Sequence, residues 1–98
     1  MLDKMKQLME MKKQADRIKK DLDALVVDVH ETAGIKIQIT CSQAFQMIDI
    51  EEGLLRPENK SRLEKDLLRS LNAAIKKSQT TAAQKMAAVM PNIPGMNF

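Results

Sequence analysis

The chain has 98 residues, 30% charged and 44% hydrophobic, a globular or coiled-coil composition with room for one small core and not two. No apolar run approaches the roughly 18 residues of a membrane span, and the first residues lack the apolar stretch of a secretory leader, so neither a membrane-spanning nor a secreted protein is expected. The formal charge of +3 is segregated: seven cations stand against three anions over residues 1–20, two against eight over 21–59, and seven against two over 60–98.

Residues 3 to about 24 lack Gly, Pro and Thr and are rich in Lys, Met, Leu and Gln, which are good helix formers. Leu8, Met11, Ala15, Ile18, Leu22 and Leu25 are spaced 3, 4, 3, 4, 3, which is a heptad seam. Lys6, Lys13 and Lys20 lie seven apart in one file on the opposite side, and Lys12 and Lys19 form a second file. Met5 and Met9 widen the seam near the N-terminus. A helix with one apolar seam and one basic edge needs cover for the seam, from the rest of the chain or from a second copy.

The period changes near Leu25. Val27 and Val29 alternate with Asp28 and His30, and Ile35, Ile37, Ile39 and Cys41 alternate with Lys36, Gln38 and Thr40. Ile48 and Ile50 then alternate with Met47, Asp49 and Glu51. Period 2 with β-branched residues predicts half-buried strands over about 25–51. Ala33-Gly34 marks the first hairpin turn, and Ser42-Gln43 is the weaker candidate for the second. Three strands with short links make an antiparallel meander whose Ile face must be covered by a helix. Cys41 is in step with that face and reads as a small core residue.

Gly53 is expected to end the third strand, and helices are predicted over about 57–90. Pro57 suits a first helical turn, and Ser61 with Glu64 has the spacing of a capping box. Leu63, Leu67, Leu71, Ala74, Ile75 and Ser78 trace a stripe that Leu68 broadens. Thr80-Thr81 weakens the pattern, so the Ala- and Met-rich residues 82–90 either continue this helix or begin another. Residues 91–98 hold two prolines and a glycine and read as a flexible tail on a single domain spanning 1–90. The expected class is α+β with element order α-β-β-β-α.

Two basic ends around an acidic middle suggest a polyanionic partner, nucleic acid before membrane surface. Enzymatic equipment is missing. His30 is the sole histidine and reads as a solvent-facing strand residue, and no Gly-rich phosphate loop appears. The paired carboxylates Glu51-Glu52 and Asp21/Asp23 flank turns without a nucleophile or a metal-ligand partner. A single cysteine allows neither an internal disulfide nor a Cys/His zinc site. The chain reads as cytosolic, with no cofactor and no small-molecule substrate.

Five segments in order resemble the YbaB/EbfC family of bacterial nucleoid-associated proteins. They are the first helix MKQLMEMKKQADRIKKDLDAL, the glycine-led strand AGIKIQIT, the strand and acidic turn MIDIEEGLL, the Leu/Ala-rich helix LEKDLLRSLNAAIKKSQ, and the ending PGMNF. The resemblance implies a homodimer of α-β-β-β-α protomers, a cytoplasmic protein of the nucleoid that binds duplex DNA with low sequence preference through basic helices. Within that frame the DNA-contacting candidates are Lys6, Lys12, Lys13, Arg17, Lys19 and Lys20 on the first helix, and Lys65, Arg69, Lys76 and Lys77 on the later one. Affinity would come from phosphate neutralisation and counterion release. Zinc-finger spacing is missing, and so is an aromatic platform for stacking single strands. The competing reading is a dimeric protein-interaction module, a chaperone or scaffold, that uses its Met-rich helices as an adaptable apolar surface.

Overall fold

In a computed structural model of the chain, residues 2–89 are described. Helix α1 (Leu2–Ala24) leads into strands β1 (Val26–Val29), β2 (Ile35–Thr40) and β3 (Phe45–Ile50). Two single 3₁₀ turns, Glu52–Leu54 and Pro57–Asn59, precede helix α2 (Lys60–Val89). The sheet is an antiparallel meander in the order β1-β2-β3. The fold is therefore the expected α+β arrangement. The predicted tail, residues 91–98, lies outside the described residues.

The core is built on the period-2 pattern. Val27, Val29, Ile35, Ile37, Ile39 and Cys41 are buried on one face of the sheet, together with Ala74 of α2. Helix α2 crosses that face over β1 and β2 and hardly touches β3. Small side chains let it come close: Ser70, Ala74 and Ser78, four apart, are fully buried against the sheet. The two serines keep their hydroxyls satisfied, as burial demands. Ser78 Oγ donates to the Thr40 carbonyl at 2.7 Å, while Ser70 Oγ donates to the Asp66 carbonyl at 2.7 Å and lies 3.1 Å from Thr32 Oγ1.

Both hairpin turns use the left-handed region. Gly34 has φ 85°, and its carbonyl accepts from the Glu51 amide at 2.9 Å. Gln43 has φ 69°. Its turn is held by Thr40 Oγ1, which accepts from the Ala44 amide at 3.0 Å and lies 2.8 Å from Ser42 Oγ. The Cys41 amide donates to the Leu25 carbonyl at 2.9 Å and ties the second hairpin to the end of α1. Burial pushes the Cys41 thiol up from its ordinary pKa of 9.0, in keeping with a core role.

One alternative left open by the sequence is decided, and two details depart from expectation. Thr80-Thr81 does not interrupt α2, which runs 30 residues as one helix. Pro57 opens a 3₁₀ turn and not the helix itself, and Ser61 lies inside α2, where it cannot serve as an N-cap. Gly53 falls within the 3₁₀ turn Glu52–Leu54, because β3 already ends at Ile50.

Candidate nucleic-acid interface

Helix α1 has 23 residues, a rod of about 34 Å, and none of them is buried. It meets the body mainly at β2, with Leu22 packed on the core. The rest projects, which stretches the molecule to 67 Å against 21 Å and 16 Å in the other directions. The N-terminal part of its seam has no cover among the described residues: Leu8 is 65% exposed and Met11 49%.

In heptad terms the seam occupies the a and d positions, and Lys6, Lys13 and Lys20 occupy f, directly opposite. Arg17 stands beside this file, so Lys6 to Lys20 forms a basic ridge about 21 Å long. Lys13, Arg17 and Lys20 also border a shallow groove with Asp16, the one carboxylate set among them. Lys12 and Lys19 sit at the e position, about 100° around the helix and next to the seam. Of the three ion pairs among the described residues, none involves α1.

On α2, Lys65, Arg69 and Lys76 share one exposed file on the side away from Ser70, Ala74 and Ser78. Arg69 Nε stands 3.8 Å from Glu31 Oε1, an exposed pair of little energetic weight. Lys77 is a separate case. It lies about 100° from Lys76, and its ammonium donates to the Asp28 carbonyl of β1 at 2.8 Å. Lys60 and Arg62 pair with Glu64 and Asp66 at 3.8 Å within the first turns of the helix. The ten candidate cations thus fall into a ridge on α1, a second file beside its seam, a file on α2, and Lys77 at the sheet. Lys85 is a cation that sequence spacing missed, because its place on the helix depends on α2 continuing past Thr80-Thr81.

The carboxylates collect elsewhere. Glu31, Glu51 and Glu52 follow the ends of β1 and β3, which the meander brings to the end of the sheet remote from α1. His30 is exposed in the β1–β2 turn region with no clustered partner, and no group of three His, Cys, Asp or Glu is placed to hold a metal among the described residues.

The YbaB/EbfC DNA-binding family profile matches residues 1–93. The chain belongs to that family. A relative from Flavobacterium johnsoniae, named as a nucleoid-associated protein, is 34% identical over 98 residues, covering 95% of this chain and 91% of the relative. Among solved structures, an uncharacterised protein from Helicobacter pylori superposes with a TM-score of 0.73 at 17% identity, over 87% of this chain and 89% of that one. The latter likeness bears on fold alone. Membership places the chain in a DNA-binding family rather than an enzyme family.

Proposed function

We propose that the chain is a dimeric nucleoid-associated protein of the cytoplasm that holds duplex DNA through phosphate contacts from α1 and α2, with little sequence preference. The observation that carries this reading is the projecting α1 rod with Lys6, Lys13, Arg17 and Lys20 aligned along it. Such a ridge suits the regular phosphate array of a duplex, and most of its cations are Lys, which acts as a point charge rather than a bidentate reader of bases. Helix α1 carries one Arg and no Asn, so direct reading of base edges is poorly equipped. The acidic end of the sheet repels phosphate and directs binding to the arm. The family and the relative's name support a place on the nucleoid.

The second reading, a module that grips a client protein, draws on the exposed Met5, Leu8, Met9 and Met11 of the same helix. Salt separates the two. If about six phosphates are neutralised, log K falls against log salt with a slope near −5. An apolar client interface is nearly indifferent to salt. A salt-titrated gel shift on random duplex DNA measures this, and a flat response refutes phosphate-driven binding.

A further inference from the structure

Helix α2 does not stop where the sheet stops. Ser70 lies beside Thr32 at one end of the sheet, and Ser78 donates to the Thr40 carbonyl at the other. The Cys41 amide on the Leu25 carbonyl fixes the end of α1 beside Thr40 as well. From Ser78 to Val89 is about 16 Å of helix, and it overhangs the sheet. The molecule is only 21 Å by 16 Å in cross-section, so the overhang runs back along the arm, antiparallel to α1. Two facing stripes mark this approach. Leu22 and Ala82 both pack on the core. One turn further out, Ile18 on α1 and Met86 on α2 are half-buried, while Arg17, Lys19, Lys85 and Ala87 beside them are exposed. About one turn beyond that level the described part of α2 ends, and Ala15, Met11, Leu8 and Met5 of α1 are all exposed.

Residues 90–98, MPNIPGMNF, follow α2 from this point. They carry no charged side chain, and Met90, Ile93 and Met96 stand three apart, as do Pro91 and Pro94. Three residues is the repeat of a polyproline II helix, so this spacing can set the three apolar side chains on one side. At about 3.1 Å per residue the segment reaches about 28 Å. The open strip of α1 from Ala15 to Met5 is only about 15 Å long. On these rises Ile93 comes level with Leu8 when Met90 is level with Ala15.

We propose that residues 90–98 of the same chain cover the N-terminal seam of α1, with Ile93 against Leu8 and Met11 and Met96 against Met5. The seam continues the stripe that Ala82 and Met86 already cover, and the covering segment starts where that stripe ends. A second arm is a poorer occupant. In parallel pairing Lys4 at d meets Lys4 of the other copy, and in antiparallel pairing the e-position file of Lys12 and Lys19 meets its own copy. An uncharged segment sets no like charge beside that file. The seam is opposite Lys6, Lys13 and Lys20, so the cover leaves the basic ridge facing outward. It braces an arm that otherwise has little to hold it straight, and it withdraws from other proteins the apolar surface that a client would grip.

The test uses the full chain and reads the arm, so it is independent of DNA binding. In the double variant Leu8→Cys with Ile93→Cys, mild oxidation gives a disulfide within one chain, mapped between positions 8 and 93. The pair Glu10→Cys with Ile93→Cys, on the far side of the helix, links several-fold less. Cys41 is buried and does not compete. A second measurement avoids engineered thiols. Ile93→Ser with Met96→Ser speeds amide hydrogen exchange over residues 5–15 several-fold and leaves the three strands unchanged. A disulfide that joins two chains between 8 and 93 assigns the cover to the segment of a second copy and overturns the proposal. A link between two Leu8→Cys arms does the same in favour of arm pairing. Equal yields at positions 8 and 10, or unchanged exchange in the serine variant, leave the seam open to a partner protein and overturn the proposal too.

Discussion

Gly34 combines φ 85° with a crowded site, since a Cβ added there would stand 2.7 Å from Leu54 Cδ1. An alanine meets both the left-handed backbone penalty and a Leu54 side chain that is itself packed on the core. We expect Gly34→Ala to cost about 1–2 kcal/mol, lowering Tm by roughly 4–16 °C in a chain of this size. Thermal unfolding followed by circular dichroism checks it, and an unchanged midpoint would refute the tight turn. Lys76 and Lys77 are neighbours in sequence with different surroundings. Lys76 stands free on the basic file of α2, whereas the Lys77 ammonium is held by the Asp28 carbonyl. Lys76→Ala is expected to reduce the salt slope of DNA binding by about one and weaken many sequences alike, and Lys77→Ala to leave the slope in place. The reverse ranking in a salt-titrated shift would assign the contact to Lys77. Sequence spacing separates the two around the helix, but only the packing of α2 on β1 shows that one of them already has a partner.

Helix α1 is the element whose contribution to stability and to binding can be pulled apart. It buries no residue fully, and the N-terminal half of its apolar seam, Leu8 to Ala15, is exposed among the described residues. A proline at Ala15 removes a backbone hydrogen bond and clashes with the preceding turn, costing about 3 kcal/mol of helix. The body holds its own core of β1, β2 and α2, so Ala15→Pro is expected to lower the helical signal and DNA affinity while barely moving the thermal midpoint. A large fall in Tm would show that the arm does pack against the body. The heptad seam, the alternating strands and the Gly34 turn were legible because each depends on local periodicity or backbone freedom. The continuity of α2 was not. Two threonines lower helix propensity by roughly 0.6 kcal/mol each, a weak signal that Ser78 and Ala82 packing on the body outweighs. Gln43 in the left-handed region was equally hidden, since the turn is set by Thr40 and Ser42 hydroxyls rather than by a glycine. The open face of β3 depends on where α2 crosses the sheet, a tertiary fact that the Ile48/Ile50 alternation does not encode.

At the scale of the whole molecule the charges are arranged along a 67 Å axis, with the cationic arm at one end of the sheet and Glu31, Glu51 and Glu52 at the other. One arm offers a ridge of about 21 Å, which occupies about six base pairs at 3.4 Å each. Its four cations neutralise few phosphates, so a single arm binds weakly at physiological salt. In the proposed dimer two arms on one body change the arithmetic, because the second docks at an effective concentration fixed by the first and can add a factor of 10² to 10⁴. That gain needs DNA long enough for both. We expect a duplex of about 10 base pairs, room for one arm, to bind far more weakly than one of about 40 base pairs, beyond what the larger number of sites explains. Fluorescence anisotropy across a duplex series at fixed salt measures the rise. A step in affinity at one length reports simultaneous engagement, and the length at the step gives the distance between arms. Affinity that grows only in proportion to the number of sites would mean that arms act singly, and would refute the bivalent grip whatever the mass of the protein in solution.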